Sequence, residues 1–122
     1  MMGEKKRLPT SELEVMMIIW EEKGMVSTSD IMQKVQKKKS LQLVQNSLNR
    51  LENKGFVRCE KIGRLNHYIP LVSLEEYRSQ ETASFLEKLY QNSGSKLFAA
   101  LIQNHSLSEE DLNQIKEMLN RE

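Results

Sequence analysis

Gln42, Asn46, Asn49 and Asn53 cluster on one side of a helix drawn through residues 40 to 54, and Val44, Leu48 and Leu51, with Leu41 beside them, share the other. A side-chain amide carries a donor and an acceptor on one planar group, which suits the two-point pattern of a base edge in the major groove of DNA. A merely solvated helix face usually relies on Lys and Glu instead. Little else in the chain could do chemistry. His67 and His105 are far apart, and there is no nucleophile–base pair, glycine-rich phosphate loop or metal-ligand spacing, so no catalytic residue, metal or cofactor is expected. Cys59 is the one cysteine; it has no internal disulfide partner and is expected as a half-buried small hydrophobe in a strand.

The elements that must carry the amide face can be read from caps and periodicity. Residues 1–7 lack apolar periodicity and are expected as a flexible arm. A first helix should start near Pro9 or Thr10, with Ser11 and Glu14 at capping-box spacing and Leu13, Met16, Met17 and Trp20, flanked by Val15 and Ile19, inside. Gly24 ends it, and Met25 and Val26 suggest a very short strand. Ser27 and Asp30 start a second helix, Thr28 to about Lys38, with Ile31 and Val35 inward; Lys37, Lys38 and Lys39 mark a solvated turn. Ser40 caps the amide-faced third helix, and Gly55 supplies its left-handed stop. Strand-like segments Val57–Lys61 and Asn66–Leu71 then flank Ile62-Gly63-Arg64-Leu65 as a basic hairpin. Helix, short strand, helix, helix, hairpin is the winged helix-turn-helix order, assigned here to residues 8–72.

From residue 73 the chain is helical. Ser73 with Glu76 opens a long helix to about Gln91, a shorter one spans Lys96 to Asn104, and Ser108 with Asp111 opens the last. Tyr77, Phe85, Leu86, Leu89, Leu97, Phe98, Leu101, Ile102, Leu112, Ile115 and Leu119 recur at helical spacing, a thin core for three helices. These residues are expected to meet a second copy, making 73–122 a dimerisation domain and the protein a homodimer. The fold class expected is therefore mainly α with a small β-hairpin.

Composition agrees with a helix-rich protein: 29% of the 122 residues are charged and 39% are apolar. The formal charge of +1 conceals 13 Lys and Arg against 8 Asp and Glu up to Val72, and 5 against 9 thereafter. A basic first part with an acidic second part fits a nucleic-acid-binding module joined to an assembly module. The longest apolar run, Val15–Trp20, is too short to span a bilayer, and the chain is expected in the cytoplasm with no membrane partner.

The string Glu12-Leu13-Glu14-Val15-Met16 with Ile19-Trp20, then Leu48-Asn49-Arg50-Leu51 with Lys54-Gly55-Phe56-Val57, then Gly63-Arg64 and Tyr68-Ile69-Pro70-Leu71-Val72, resembles the penicillinase repressor family over Leu8 to about Glu122. The resemblance implies a homodimeric winged-helix repressor that binds palindromic operator DNA through its third helix and wing. It would set Gln42, Gln45, Asn46 and Asn49 against bases, with Ser40, Arg50, Lys61, Arg64 and His67 near the backbone. Three departures stand out. Leu43 takes the place of a common family Thr, residues 113–122 lack the cysteine-rich motif of the copper-responsive branch, and Ala100-Leu101 replaces the Asn-Phe bond cleaved in the antibiotic-resistance branch. The competing reading is a winged helix used as a protein-interaction module without sequence-specific DNA binding.

Overall fold

The computed structural model describes residues 7–35 and 39–121. Its elements run α1 (Thr10–Glu21), β1 (Val26–Ser27), α2 (Thr28–Lys34), α3 (Leu41–Asn53), β2 (Val57–Ile62), β3 (Leu65–Pro70), α4 (Leu74–Tyr90), α5 (Gly94–Gln103) and α6 (Glu109–Asn120). The chain divides into two units, Met1–Glu81 and Thr82–Glu122.

In the first unit the three strands form an antiparallel sheet in the order β1-β3-β2, so the expected hairpin gains a third, two-residue strand. Gly63 and Arg64 alone connect β2 to β3, with Ile62 paired to Leu65; the strands reach one residue further into the turn on each side than their sequence suggests. Gly63 sits at φ +64°, a conformation that short hairpin turns require and that glycine adopts without strain. The core is formed by Val15, Met16 and Ile19 of α1, Ile31 of α2, Val44, Leu48 and Leu51 of α3, Phe56, and Val57 and Tyr68 of the sheet. Leu8, Val72 and Tyr77 close it from the chain ends of the unit.

Several expectations are corrected here. α1 begins at Thr10, one residue too early for Ser11 to cap it; Pro9 is the N-cap, and its carbonyl accepts from Leu13 N–H at 2.9 Å. Met17 is exposed, whereas Glu12 is buried. Leu41 is also exposed, because side chains lean toward the helix N-terminus and the first residue of α3 projects past its packed stretch. α2 closes at Lys34, with Val35 as its C-cap; the expected continuation through residues 36–38 lies outside the described residues, as do residues 1–6 of the expected arm. Lys39 is not simply solvated: it pairs with Glu14 at 2.7 Å.

Tyr77 is a further correction. Expected at a dimer interface, it is 6% exposed within the first unit, where its hydroxyl accepts from Leu8 N–H at 2.8 Å and its ring meets Trp20 and Phe56 at 5.5 and 5.7 Å. Trp20 Nε1 donates to the Val72 carbonyl at 2.8 Å. These contacts draw the first turns of α4 into the first unit, which extends to Glu81.

In the second unit Ser93 caps α5, and Ser108 and Asp111 form the expected capping box of α6. α5 and α6 contain no buried residue. Leu86, Leu97, Leu101, Leu112 and Ile115 are half-buried, while Phe85, Leu89, Phe98, Ile102, Met118 and Leu119 are exposed. Leu89 and Leu119 are 61% and 71% exposed, values unusual for leucines at helical spacing with an apolar stripe around them.

Candidate nucleic-acid interface

α3 owes its position to its two ends as much as to its apolar side. Ser40 Oγ accepts from Leu43 N–H at 3.2 Å, and Gly55, at φ +81°, lets the chain turn sharply so that Phe56 N–H reaches the Leu51 carbonyl at 2.9 Å. Val44, Ser47, Leu48 and Leu51 face the interior. Beyond this packing, two ion pairs tie the helix ends to α1: Lys39 with Glu14 before it, and Lys54 with the buried Glu12 after it. A helix held at both ends presents its outer side in one orientation, which recognition by short-range hydrogen bonds needs.

That outer side carries the predicted amides. Gln42, Asn49 and Asn53 are exposed, and Gln45 and Asn46 are half-buried. They are not independent side chains. Gln42 Nε2 donates to Asn46 Oδ1 at 3.0 Å, and Gln45 Nε2 donates to Asn49 Oδ1 at 3.2 Å, giving two parallel ladders one helical turn long. Gln45 Nε2 also donates to the Tyr68 hydroxyl at 3.1 Å. Burial raises the pKa of that phenol above its ordinary 10.0 and outweighs the opposing effect of the Gln45 hydrogen bond, so it remains a neutral partner. Leu43 and Arg50 are exposed on the flank of the same face.

The sheet places the wing residues unequally. Residues directly opposite in an antiparallel pair share a face, and neighbours along a strand alternate. Lys61 and its partner Asn66 therefore lie on the side of Cys59 and Tyr68, which is the α3 side. His67 and its partner Glu60 lie on the reverse side, with Arg58, whose guanidinium pairs with Glu60 at 3.0 Å. His67 is half-buried, with Nδ1 3.2 Å from the Leu65 carbonyl oxygen. Arg64 projects at the turn, and Arg50, Lys61 and Arg64 form no ion pair among the described residues. The structure thus brings Gln42, Gln45, Asn46 and Asn49 together on α3, sets Lys61 and Arg64 out on the wing, and sets His67 on the wing's other face.

Sequence reasoning missed Asn66, whose place beside Lys61 follows only from the hairpin register. It also missed the link from Gln45 to Tyr68, which joins residues 23 positions apart and has no local signal. Cys59 is half-buried in β2, as expected of a small strand hydrophobe. Among the described residues no group of three His, Cys, Asp or Glu side chains converges as a metal site, and no helix is long and apolar enough to cross a membrane.

Known proteins resemble this chain over most of its length. Residues 8–121 match the profile of the family described as penicillinase repressor. An uncharacterized 16.5 kDa protein from the ptsI 3' region of Latilactobacillus sakei is 34% identical over 114 residues, covering 92% of this chain and 77% of that protein. The penicillinase repressor of Bacillus licheniformis is 29% identical over 119 residues, covering 93% and 92%. The methicillin resistance regulatory protein MecI of Staphylococcus aureus is 26% identical over 116 residues, covering 93% and 94%. Among solved structures, the DNA-binding domain of the repressor BlaI superposes with a TM-score of 0.55 at 28% identity, covering 62% of this chain and 94% of that one. The Bacillus licheniformis BlaI monomeric form, solved with the blaP half-operator, gives 0.51 at 29% identity over the same shares. The winged-helix architecture is shared with the repressor BlaI, and the family profile runs from Leu8 to Arg121: the chain belongs to the penicillinase repressor family, whose members are repressors and not enzymes.

Proposed function

We propose that this chain is a homodimeric, cytoplasmic transcriptional repressor whose α3 and hairpin read one half-site each of a palindromic DNA operator, so that the bound dimer occludes a promoter. The observation that carries this reading is the laddered amide face of α3, pinned at both helix ends, in a fold shared with a repressor solved on half-operator DNA. Gln42, Gln45, Asn46 and Asn49 supply base preference through donors and acceptors at fixed spacing. Arg50, Lys61 and Arg64, with Ser40, contact phosphates and supply affinity, while His67 approaches the backbone from the wing's reverse face. Leu43, exposed at a place where the family resemblance implies a common Thr, gives the operator a preference of its own.

The exposed leucines and phenylalanines of α4, α5 and α6 support pairing of two chains through residues 82–122. A two-fold dimer imposes an inverted repeat, with half-sites a whole number of helical turns apart. Selection of bound fragments from a random duplex library, followed by footprinting and a salt titration, tests the reading. An inverted repeat is expected, with affinity falling about 0.9 log units per log unit of salt for each phosphate contacted. Absence of salt-dependent binding, even to random duplex at low salt, would refute it.

A further inference from the structure

The two amide ladders share a polarity but not a set of partners. In both, a glutamine nitrogen donates to an asparagine oxygen one turn further on. An amide nitrogen has two hydrogens. Gln42 commits one of them to Asn46. Gln45 commits both, one to Asn49 at 3.2 Å and one to the Tyr68 hydroxyl at 3.1 Å. What Gln45 has left to offer a ligand is its carbonyl oxygen, an acceptor only. Asn49, having accepted at its oxygen, has its amide hydrogens left to donate.

Tyr68 is suited to impose that orientation. It lies on β3, the middle strand, paired with Val26 on one side and Cys59 on the other, and is 1% exposed. Buried and paired on both sides, the tyrosine is fixed in place and its phenol oxygen cannot follow a rotating glutamine amide.

We propose that Tyr68 is a positioning residue for base recognition: by holding one hydrogen of the Gln45 amide it turns the Gln45 carbonyl outward, so that this position selects a base with an exocyclic amino group on its major-groove edge, adenine or cytosine, over guanine or thymine. The proposal rests on the reading of α3 as the DNA-contacting helix. Gln42, with a hydrogen to spare, accommodates either polarity and is the more permissive of the two.

The test uses the full-length protein and the operator obtained by selection, with all four bases substituted at each step. Tyr68→Phe keeps the ring and removes only the hydroxyl; thermal unfolding checks that the fold persists. Preference for adenine or cytosine at one step should fall roughly five- to tenfold, the loss of about one oriented hydrogen bond. Affinity for random duplex, its salt slope and preferences at the other steps should not change, which a general loosening of the core would not allow. In a Gln45→Ala background Tyr68→Phe should add nothing. Gln45→Glu, whose two oxygens are both acceptors, should bind DNA less tightly overall but retain the preference at that step, with thermal unfolding again checking the fold; abolition of the preference would mean that Gln45 reads with its nitrogen as well, and would overturn the proposal. If Gln45→Ala shifts the preference and Tyr68→Phe does not, the role of Tyr68 is refuted and the reading of α3 survives. If Gln45→Ala and Asn49→Ala both leave every step unchanged, the reading of α3 falls together with it.

Discussion

Removing one partner of the Glu12–Lys54 pair should cost very different amounts depending on which is removed. The Glu12 side chain is 4% exposed and the Lys54 side chain 35%. Lys54→Ala therefore strands a carboxylate in the interior, a change that typically costs about 3–5 kcal/mol. Glu12→Gln keeps the volume and an acceptor for the ammonium, and a lysine one-third open to water recovers part of its hydration, so about 1–2 kcal/mol is expected. At roughly 4 °C per kcal/mol for a chain of this size, Lys54→Ala lowers Tm by on the order of 10 °C or more and Glu12→Gln by about half of that or less. The double variant should be more stable than Lys54→Ala alone, because the stranded charge has gone. Urea unfolding of the four proteins supplies the cycle. Hydrogen exchange reports the local consequence, since the pair ties the C-terminal end of α3 to α1 and amides of residues 50–54 should lose protection first. A Glu12→Gln cost equal to or greater than that of Lys54→Ala, or strict additivity, would refute the view that this pair acts as a buried clamp.

Other outcomes follow from the same geometry. Asn46→Ala should cost roughly 1–3 kcal/mol of operator binding and relax preference at one base step, whereas Arg64→Ala should weaken all sequences alike and reduce the salt slope by about one; fluorescence anisotropy across a salt series separates the two. Leu89→Asp and Leu119→Asp each remove an exposed leucine whose burial contributes about 1.5–3 kcal/mol, and in a two-fold dimer each change acts twice, so the association constant should fall roughly 10²- to 10⁴-fold per substitution in sedimentation equilibrium. An unchanged particle in both variants would place the interface elsewhere. Ser73 N–H and Oγ–H hold the Glu76 carboxyl below its ordinary 4.5. A depressed carboxyl stabilises the fold above that value and loses the contribution as pH falls through its folded-state pKa. The Tm gap between wild type and Glu76→Gln should thus be present at neutral pH and close in acid.

What the sequence disclosed is what depends on local chemistry. Ser27 with Asp30 and Ser108 with Asp111 are reciprocal caps because both members lie within one turn, and the spacing of Val44, Leu48 and Leu51 carries its own geometry. The same rule misled at Ser11 and Glu14, where the motif is present but the helix had already begun at Thr10. Leu41 satisfied the period yet lies at the helix mouth, where periodicity says nothing about whether a neighbour exists. Glu12, Tyr77 and the Gln45–Tyr68 link were illegible for one shared reason: each is decided by a partner 23 to 69 residues away, and nothing in a local window distinguishes a paired glutamate or a core tyrosine from a surface one.

The two units also differ in how they can hold themselves together, and this bears on control. The first buries a continuous core; the second buries no residue of α5 or α6 and exposes leucines along its helices. On the proposed reading, order in the second unit comes largely from association, so the dimer is the less robust of the two states the repressor needs. A half-site bound by one protomer makes the neighbouring half-site an intramolecular event for the other, which can strengthen binding by two to four orders of magnitude, by roughly 10² to 10⁴, without a new base contact. Separating the protomers removes that gain while α3, Tyr68 and the wing stay untouched. Any signal that acts on residues 82–122 could then release DNA through mass action alone. In titrations with Leu119→Asp this predicts weakened binding to the full palindrome and unchanged binding to an isolated half-site; equal weakening of both would show that the substitution disturbs the reading head itself.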